Sequence, residues 1–281
     1  MSDVHPPMPA VREAVTRALA EDLGPLGDLT ASLLAVDVHG VAEIVPRVDG
    51  VLAGRLCATE AFTQVDASIR VTWVADDGDE LTAAESIGRV EGPLNAILTG
   101  ERTALNFLGH LSGIATETHR YVRAARGHAR IRDTRKTTPG LRALEKAAVR
   151  AGGGVNHRGN LSDGILVKDN HLGGLSITDA VRRAHLRWPG RGVEVECDTR
   201  EQVEEALAAG AGMVLLDNMS PDEVAECVRV VGHRAVVEVS GGVTLDTVGS
   251  YAETGADLIS IGAITHSAPV LDIGLDIRMR D

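Results

Sequence analysis

The sequence predicts an α/β chain in two parts, a small N-terminal α+β region followed by an α/β barrel or incomplete barrel. Three observations carry this expectation. Short alternating runs joined by Gly and Asp clusters fill the first hundred or so residues, a long helical stretch follows, and from residue 130 onward short apolar strands alternate with amphipathic helices.

In chain order, Val11 to Ala20 has helical spacing and gives way to a turn-rich stretch through Asp28. The runs Val41 to Val48 and Ile69 to Val74 alternate apolar with polar residues, the pattern of a half-exposed antiparallel sheet. Helical spacing then runs from Leu94 to about Arg126, with Leu98, Leu105 and Leu108 on one stripe. These elements place an α+β domain over residues 1–108.

The later strands read Ala129 to Asp133, Ile165 to Lys168, Val193 to Glu196, Met213 to Asp217, Ala235 to Val239 and Leu258 to Gly262. Alternation of strand and helix demands a parallel sheet, because each crossover helix returns the chain to the same end. No G-x-G-x-x-G loop follows the first strand, so a barrel spanning residues 109–267 fits better than an open dinucleotide-binding sheet. Asp133 to Lys136, Lys168 to Asn170, Glu196, Asp217, Ser240 to Gly242 and Gly262 all fall where a strand meets its following loop. In a barrel those loops share one rim, which makes a single convergent site.

Composition narrows the function. The chain of 281 residues is 44% hydrophobic, enough for a full core, but aromatic residues make up 2% and the formal charge is -12. Stacking platforms and a basic face are both missing, which argues against a nucleic-acid binder. No apolar run approaches membrane-span length, and Met1 to Ala10 lacks the basic and apolar regions of a signal peptide, so a cytoplasmic location is expected. Cys57, Cys197 and Cys227 are dispersed and form no C-x-x-C pair; they read as reduced thiols, with Cys197 a small buried filler.

Positive charge is concentrated. Between Arg130 and Lys168 nine Lys or Arg residues face three acids, and all three lysines of the chain, Lys136, Lys146 and Lys168, lie there. Arg142 and Arg150 suit a solvated helix face. Arg135, Lys136, Arg158 and Lys168, at strand ends or in a Gly-rich loop, suit a polyanion pocket, where Arg forks engage carboxylate or phosphate and Lys supplies a compact charge. Gly152 to Gly154 precede His157 and Arg158, and His157 on that loop is a candidate donor to an aromatic carboxylate.

Opposite in sign, Glu196 and Asp217 each end a strand; they can hold Mg²⁺ through water, bind ribose hydroxyls or stabilise a cationic sugar. The last two strands lead into Ser240-Gly241-Gly242 and Gly262-Ala263-Ile264-Thr265, loops of the kind that bind phosphate through backbone N–H groups. His266, just beyond, is either a further donor or a packing residue.

The block Asp133-Thr134-Arg135-Lys136-Thr137-Thr138-Pro139-Gly140-Leu141-Arg142 resembles the most distinctive motif of the quinolinate phosphoribosyltransferases. Gly152 to Gly154 with His157-Arg158, Val167-Lys168-Asp169-Asn170-His171, Glu21-Asp22-Leu23-Gly24, the stretch Glu101 to Leu108, Glu194-Val195-Glu196, Leu216-Asp217-Asn218 and Leu271 to Asp276 also match, so the likeness covers nearly the whole chain after about residue 10.

That resemblance implies an incomplete, TIM-like α/β barrel with an N-terminal α+β domain that the C-terminal tail, about 268–281, rejoins. It implies transfer of a phosphoribosyl group from phosphoribosyl pyrophosphate to quinolinate with loss of CO₂, giving nicotinate mononucleotide for NAD synthesis. Arg135, His157, Arg158 and Lys168, with Arg102 from the neighbouring subunit of a homodimer, would bind the quinolinate carboxylates, and Thr134 and Lys136 would line the pocket. Glu196 and Asp217 would face ribose, Mg²⁺ and pyrophosphate, with Ser240 to Gly242 and Gly262 at the 5'-phosphate. Lys136, Glu196 and Asp217 are the expected catalytic residues. The alternatives are a transferase acting on nicotinate or another pyridine acid, and a non-catalytic barrel that binds phosphometabolites.

Overall fold

The computed structural model describes residues 4–35 and 37–279. Met1 to Asp3, within the stretch read for a signal peptide, and Arg280 and Asp281, within the C-terminal tail, lie outside the described residues, as does Val36. The strands in chain order are β1 (His39–Pro46), β2 (Gly50–Val51), β3 (Arg70–Trp73), β4 (Glu80–Leu81), β5 (Gly88–Pro93), β6 (Arg130–Arg132), β7 (Ile165–Val167), β8 (Val193–Cys197), β9 (Met213–Asp217), β10 (Val236–Ser240), β11 (Leu258–Ser260) and β12 (Ile273–Met279). The chain divides into two compact units. The first comprises Met1–His119, Thr137–Gly153 and Ile264–Asp281, and the second Arg120–Lys136 and Gly154–Ala263.

The first unit holds an antiparallel sheet in the order β12-β1-β5-β3, so the closing strand of the chain pairs with the opening one. Alternation along β1 turns Ala42 and Ile44 into the core while Glu43 stands opposite Arg89 of β5 and Asp276 of β12. The first helix, Met8–Leu23, starts earlier than its spacing suggests, because Pro at N1 or N2 costs no intrahelical hydrogen bond. It buries Val11, Ala14, Val15 and Leu19 as one stripe.

Helix Leu94–Ala124 is the long one. Leu105 and Leu108 are buried as expected, but Leu98 is 36% exposed; the buried line runs through Ile97, Ala104, Leu108, Leu111 and Ala115. Helix Arg142–Ala151 also belongs to the first unit. The structure corrects the reading of Arg150 as a solvated side chain: it is half-buried and donates to the carbonyl of His5 at 3.0 Å. Gly152 allows a close approach, since a Cβ there would fall 2.3 Å from the carbonyl oxygen of Ala115.

The second unit is a six-stranded parallel sheet in the order β6-β11-β10-β9-β8-β7. All six strands fall where the sequence places them. The chain's first and second strands of this unit, β6 and β7, form the two edges, so the barrel is incomplete. Part of the gap is taken up by the segment after Gly154, whose Val155 N–H donates to Ile131 O at 2.8 Å and whose Val155 carbonyl accepts from Asp133 N–H at 3.2 Å. Helices Ile177–Arg187, Arg200–Ala208, Pro221–Val231 and Val248–Ala252 follow the strands and bury Val181, Val203, Val224 and Val248 completely. Three begin on side-chain caps, Ser176, Thr199 and Ser220, which fix where each βα loop ends.

Register fixes which side chains face inward. Glu196 of β8, Leu215 of β9 and Glu238 of β10 stand in one row, and Asp217 with Ser240 in the next toward the strand ends. The opposite face of the same strands carries Val195, Val214, Val237 and Val239, all buried.

Candidate active site

The C-terminal ends of the parallel strands surround a cavity of about 270 Å³. Thr134, Arg135 and Lys136 reach it from the loop after β6, His157 and Arg158 from the segment beside β6, Lys168 from the end of β7 and Ser240 from the end of β10. Leu166 and Leu215 give it an apolar surface, with Ser260 and Glu238 completing the lining. Seven of the residues singled out in the sequence thus meet in one place.

A second cavity, about 420 Å³, lies toward the N-terminal ends of β7, β8 and β9, where Ile165, Val193 and Met213 line it. It shares only His157 and Arg158 with the first and has neither lysine, so the smaller cavity is the one built for a polyanion.

The electrostatics of the smaller cavity favour an anion. Burial lowers the pKa of the Arg158 guanidinium, and the like charge of Arg135 lowers it further, with Glu194 opposing. Two guanidiniums held close enough to repel are relieved by a bound carboxylate. Arg158 is aimed by a donation from Nη1 to the Gly164 carbonyl at 3.2 Å. Lys168 Nζ pairs with Glu196 Oε2, so a ligand phosphate or carboxylate there would compete for an ammonium already bridged to an acid.

His157 is oriented by its neighbours. Its Nδ1 accepts the backbone N–H of Arg158 at 2.7 Å, which leaves the proton of the neutral ring on Nε2. Nε2 lies 3.1 Å from Glu194 Oε2 and 3.8 Å from Glu238 Oε1. The three side chains are close enough to suggest a metal site, but a ring nitrogen that carries a proton is no ligand. The sequence reading aims His157 at a ligand carboxylate; here its ring N–H faces the barrel acids.

Asp217 ends β9 in register with Ser240, and its Oδ2 accepts from Asn218 Nδ2 at 2.6 Å. Gly241 has φ +91 and a Cβ there would meet Asn218 Oδ1 at 2.2 Å, so only glycine fits this turn. Gly242 follows with φ +61, and Gly262 succeeds β11. Arg102, exposed on the long helix, and His266, exposed with Nδ1 2.6 Å from Ser267 Oγ, belong to the first unit.

Comparison with known proteins bears on this geometry. The family described as quinolinate phosphoribosyl transferase, C-terminal domain, matches residues 114–276, and its N-terminal domain matches residues 28–112. The chain belongs to the quinolinate phosphoribosyltransferase family. Among its relatives, the probable carboxylating nicotinate-nucleotide pyrophosphorylase of Bacillus subtilis is 41% identical, covering 96% of this chain and 94% of its own length. The carboxylating nicotinate-nucleotide pyrophosphorylase of Mycobacterium leprae is 42% identical over 95% and 97% of the two chains. The solved nicotinate-nucleotide pyrophosphorylase of Francisella tularensis superposes with a TM-score of 0.94 at 37% identity, covering 99% of each chain.

In this family member the sequence reading put Asp133 at a strand end but missed the inner support that it, Glu194 and Glu238 give the pocket. Asp133, buried completely, accepts the backbone N–H of His157 at 2.7 Å and the Asn156 side-chain amide at 2.6 Å. Glu194 and Glu238 are buried carboxyl groups whose pKa values burial pushes upward, in Glu238 with a further push from Glu194. Glu238 binds both Arg132 and Ser260. A signal for them was available: V-E-V-E-C and V-V-E-V-S place acids inside apolar strands in the same phase as Glu196 and Ser240.

Proposed function

We propose that the chain catalyses phosphoribosyl transfer from phosphoribosyl pyrophosphate to quinolinate with loss of CO₂, yielding nicotinate mononucleotide in de novo NAD biosynthesis. The observation that carries this reading is the convergence of Arg135, Lys136, Arg158 and Lys168 on one cavity with an apolar wall of Leu166 and Leu215. Four cations around an apolar slot suit a flat ring bearing two carboxylates.

The residues divide the work by charge. Arg135, Arg158 and Lys168 bind the two carboxylates, and Thr134 and Lys136 line the same pocket, Lys136 also as a catalytic residue. As the bond from the sugar to pyrophosphate breaks, positive charge develops on the ribose ring, and the carboxylates of Glu196 and Asp217 stabilise it where it forms. The pyridine nitrogen captures the sugar carbon. Once that nitrogen is quaternary, the carboxylate beside it leaves as CO₂, and the electron pair left on the ring carbon is stabilised by the adjacent cation until it takes a proton. Backbone N–H groups of Ser240 to Gly242 and Gly262 receive the 5'-phosphate.

Mg²⁺ fits the same rim. Glu196 and Asp217 end adjacent strands as hard oxygen donors, the set that Mg²⁺ takes while keeping several waters. Bound there it would neutralise pyrophosphate. Arg102 reaches the carboxylates from the partner subunit of a homodimer in this reading, and a cytoplasmic location is part of the same proposal. No helix among the described residues is long and apolar enough to cross a membrane.

The test is an assay of the purified protein with quinolinate, phosphoribosyl pyrophosphate and Mg²⁺, following mononucleotide and CO₂ in parallel with a nicotinate reaction. Turnover of quinolinate with equimolar CO₂ is the expected result. Turnover of nicotinate alone would move the substrate to a mono-acid, and tight phosphoribosyl pyrophosphate binding without pyrophosphate release would leave a binding protein.

A further inference from the structure

At the floor of the carboxylate pocket lies a set of polar side chains to which the reaction gives no part. Glu238 stands at the middle of β10 with no exposed surface. Its Oε2 binds Arg132 Nη1, its Oε1 accepts from Ser260 Oγ, and the same Oε1 lies 3.8 Å from His157 Nε2. Glu194, in the row below, is 8% exposed and brings Oε2 to 3.1 Å from the same ring nitrogen.

These contacts converge on the segment that carries Arg158. Arg132 Nε donates to the Asn156 carbonyl at 3.4 Å, Asp133 holds the His157 backbone, and the His157 ring closes the set by accepting the Arg158 N–H. A fully buried carboxylate is costly unless each of its oxygens is hydrogen-bonded, and here both are. The simplest role of such a pair is charge neutralisation of Arg132 alone. The Arg132 guanidinium that Glu238 holds also donates from Nε to the Asn156 carbonyl, which gives the carboxylate a second task, because a guanidinium fixed at both ends holds that segment in place.

We propose that Glu238 is a positioning residue for the pyridine pocket: bound to Arg132 and Ser260, it keeps Arg132 aimed at the Asn156 carbonyl and so fixes the segment from which Arg158 meets the substrate. The proposal rests on the cavity being the quinolinate site. It separates the two substrates, since Glu238 acts through the side chain of Arg132 on the segment that carries Arg158, whereas the 5'-phosphate is assigned to backbone N–H groups.

The experiment compares Glu238→Gln with the double variant Arg132→Met/Glu238→Gln. The single variant keeps shape and removes charge; the double removes both charges of the pair. Steady-state kinetics for each substrate and the melting temperature are read for both. For Glu238→Gln the KM for quinolinate is expected to rise at least about fivefold while that for phosphoribosyl pyrophosphate stays within about twofold. In the double variant the melting temperature returns to within about 2 °C of wild type and the quinolinate KM stays raised.

Recovery of both quantities in the double variant overturns the proposal, because Glu238 then only neutralises Arg132. An unchanged quinolinate KM, or an equal rise for both substrates, overturns it as well. Should Glu238→Gln fail to fold, the double variant is judged by the same kinetic criteria. Failure of the reaction itself appears in the wild-type assay, before any variant is compared.

Discussion

On β1 of the first unit, Glu43 stands opposite Arg89 and Asp276, and the two partners are exposed while Ala42 and Ile44 on the other face are buried completely. On β10 of the second unit, Glu238 is the fully buried residue, and its neighbours Val237 and Val239 are buried too. Both strands alternate, yet the polar row meets water in one and a closed interior in the other. An antiparallel sheet can leave one face solvated, and its charges there need no partner. A parallel sheet in a barrel has both faces covered, so an inward acid persists only where it is bound, as Glu238 is by Arg132 and Ser260. A charge inside a βα strand therefore marks the site, whereas one on a meander strand marks a wet face.

The largest effect is expected from the interior. Asp133 has no exposed surface and accepts both the His157 N–H and the Asn156 amide, so Asp133→Ala leaves donors without an acceptor. The expected cost is about 2–4 kcal/mol in urea unfolding, with loss of activity because the His157 segment is no longer held. A cost below about 1 kcal/mol would mean that interior charges are no more important than those on the open sheet.

Next comes the cavity wall. Arg158→Ala, and separately Arg135→Ala, should lower kcat/KM for quinolinate at least about tenfold, since one charge-assisted contact contributes about 1.5–3 kcal/mol. Melting temperatures should barely move, because these side chains serve the ligand more than the fold. Unchanged kinetics in both variants would remove the two arginines from the site and with them the reason for reading the cavity as anionic.

Much of this was legible in the sequence where local chemistry decides. Met213–Asp217 is a strand residue for residue because an apolar run bounded by Gly212 and Asn218 admits little else. Arg135, Lys136, Arg158 and Lys168 were recognisable as a group because strand ends of one parallel sheet share a rim. The support behind them was legible only in part: the phase of Glu238 within its strand marks it as inward, but Arg132, Asp133 and Glu238 acquire their role only through partners 22 or more positions away, as in Asp133 with Asn156 at a separation of 23 and Arg132 with Glu238 at 106. Burial of Leu105 but not Leu98, one heptad earlier on the same helix, likewise depends on what the rest of the fold places beside each. The direction of the His157 ring is of the same kind, set by a backbone N–H and two acids rather than by its place in the motif.

The smallest effect belongs to the open sheet. Arg47 and Asp276 form a bidentate pair, Nη2 to Oδ1 at 2.5 Å and Nη1 to Oδ2 at 3.1 Å, but both side chains are exposed and water competes for each. Arg47→Ala should shift the melting temperature by less than about 2 °C. The pair has a definite pH signature. The Arg47 hydrogen bonds hold the Asp276 carboxyl below its ordinary range, so the folded chain favours the anion more than the unfolded chain does. That contribution is present above the ordinary carboxylate range and is lost as pH falls through the folded value. The difference between wild type and Arg47→Ala should therefore close on acidification, and raised salt should close it at neutral pH, whereas the Asp133→Ala deficit should survive salt because its partners are shielded from ions. A salt-resistant Arg47→Ala deficit as large as that of Asp133→Ala would show that the two sheets do not, after all, treat charge differently.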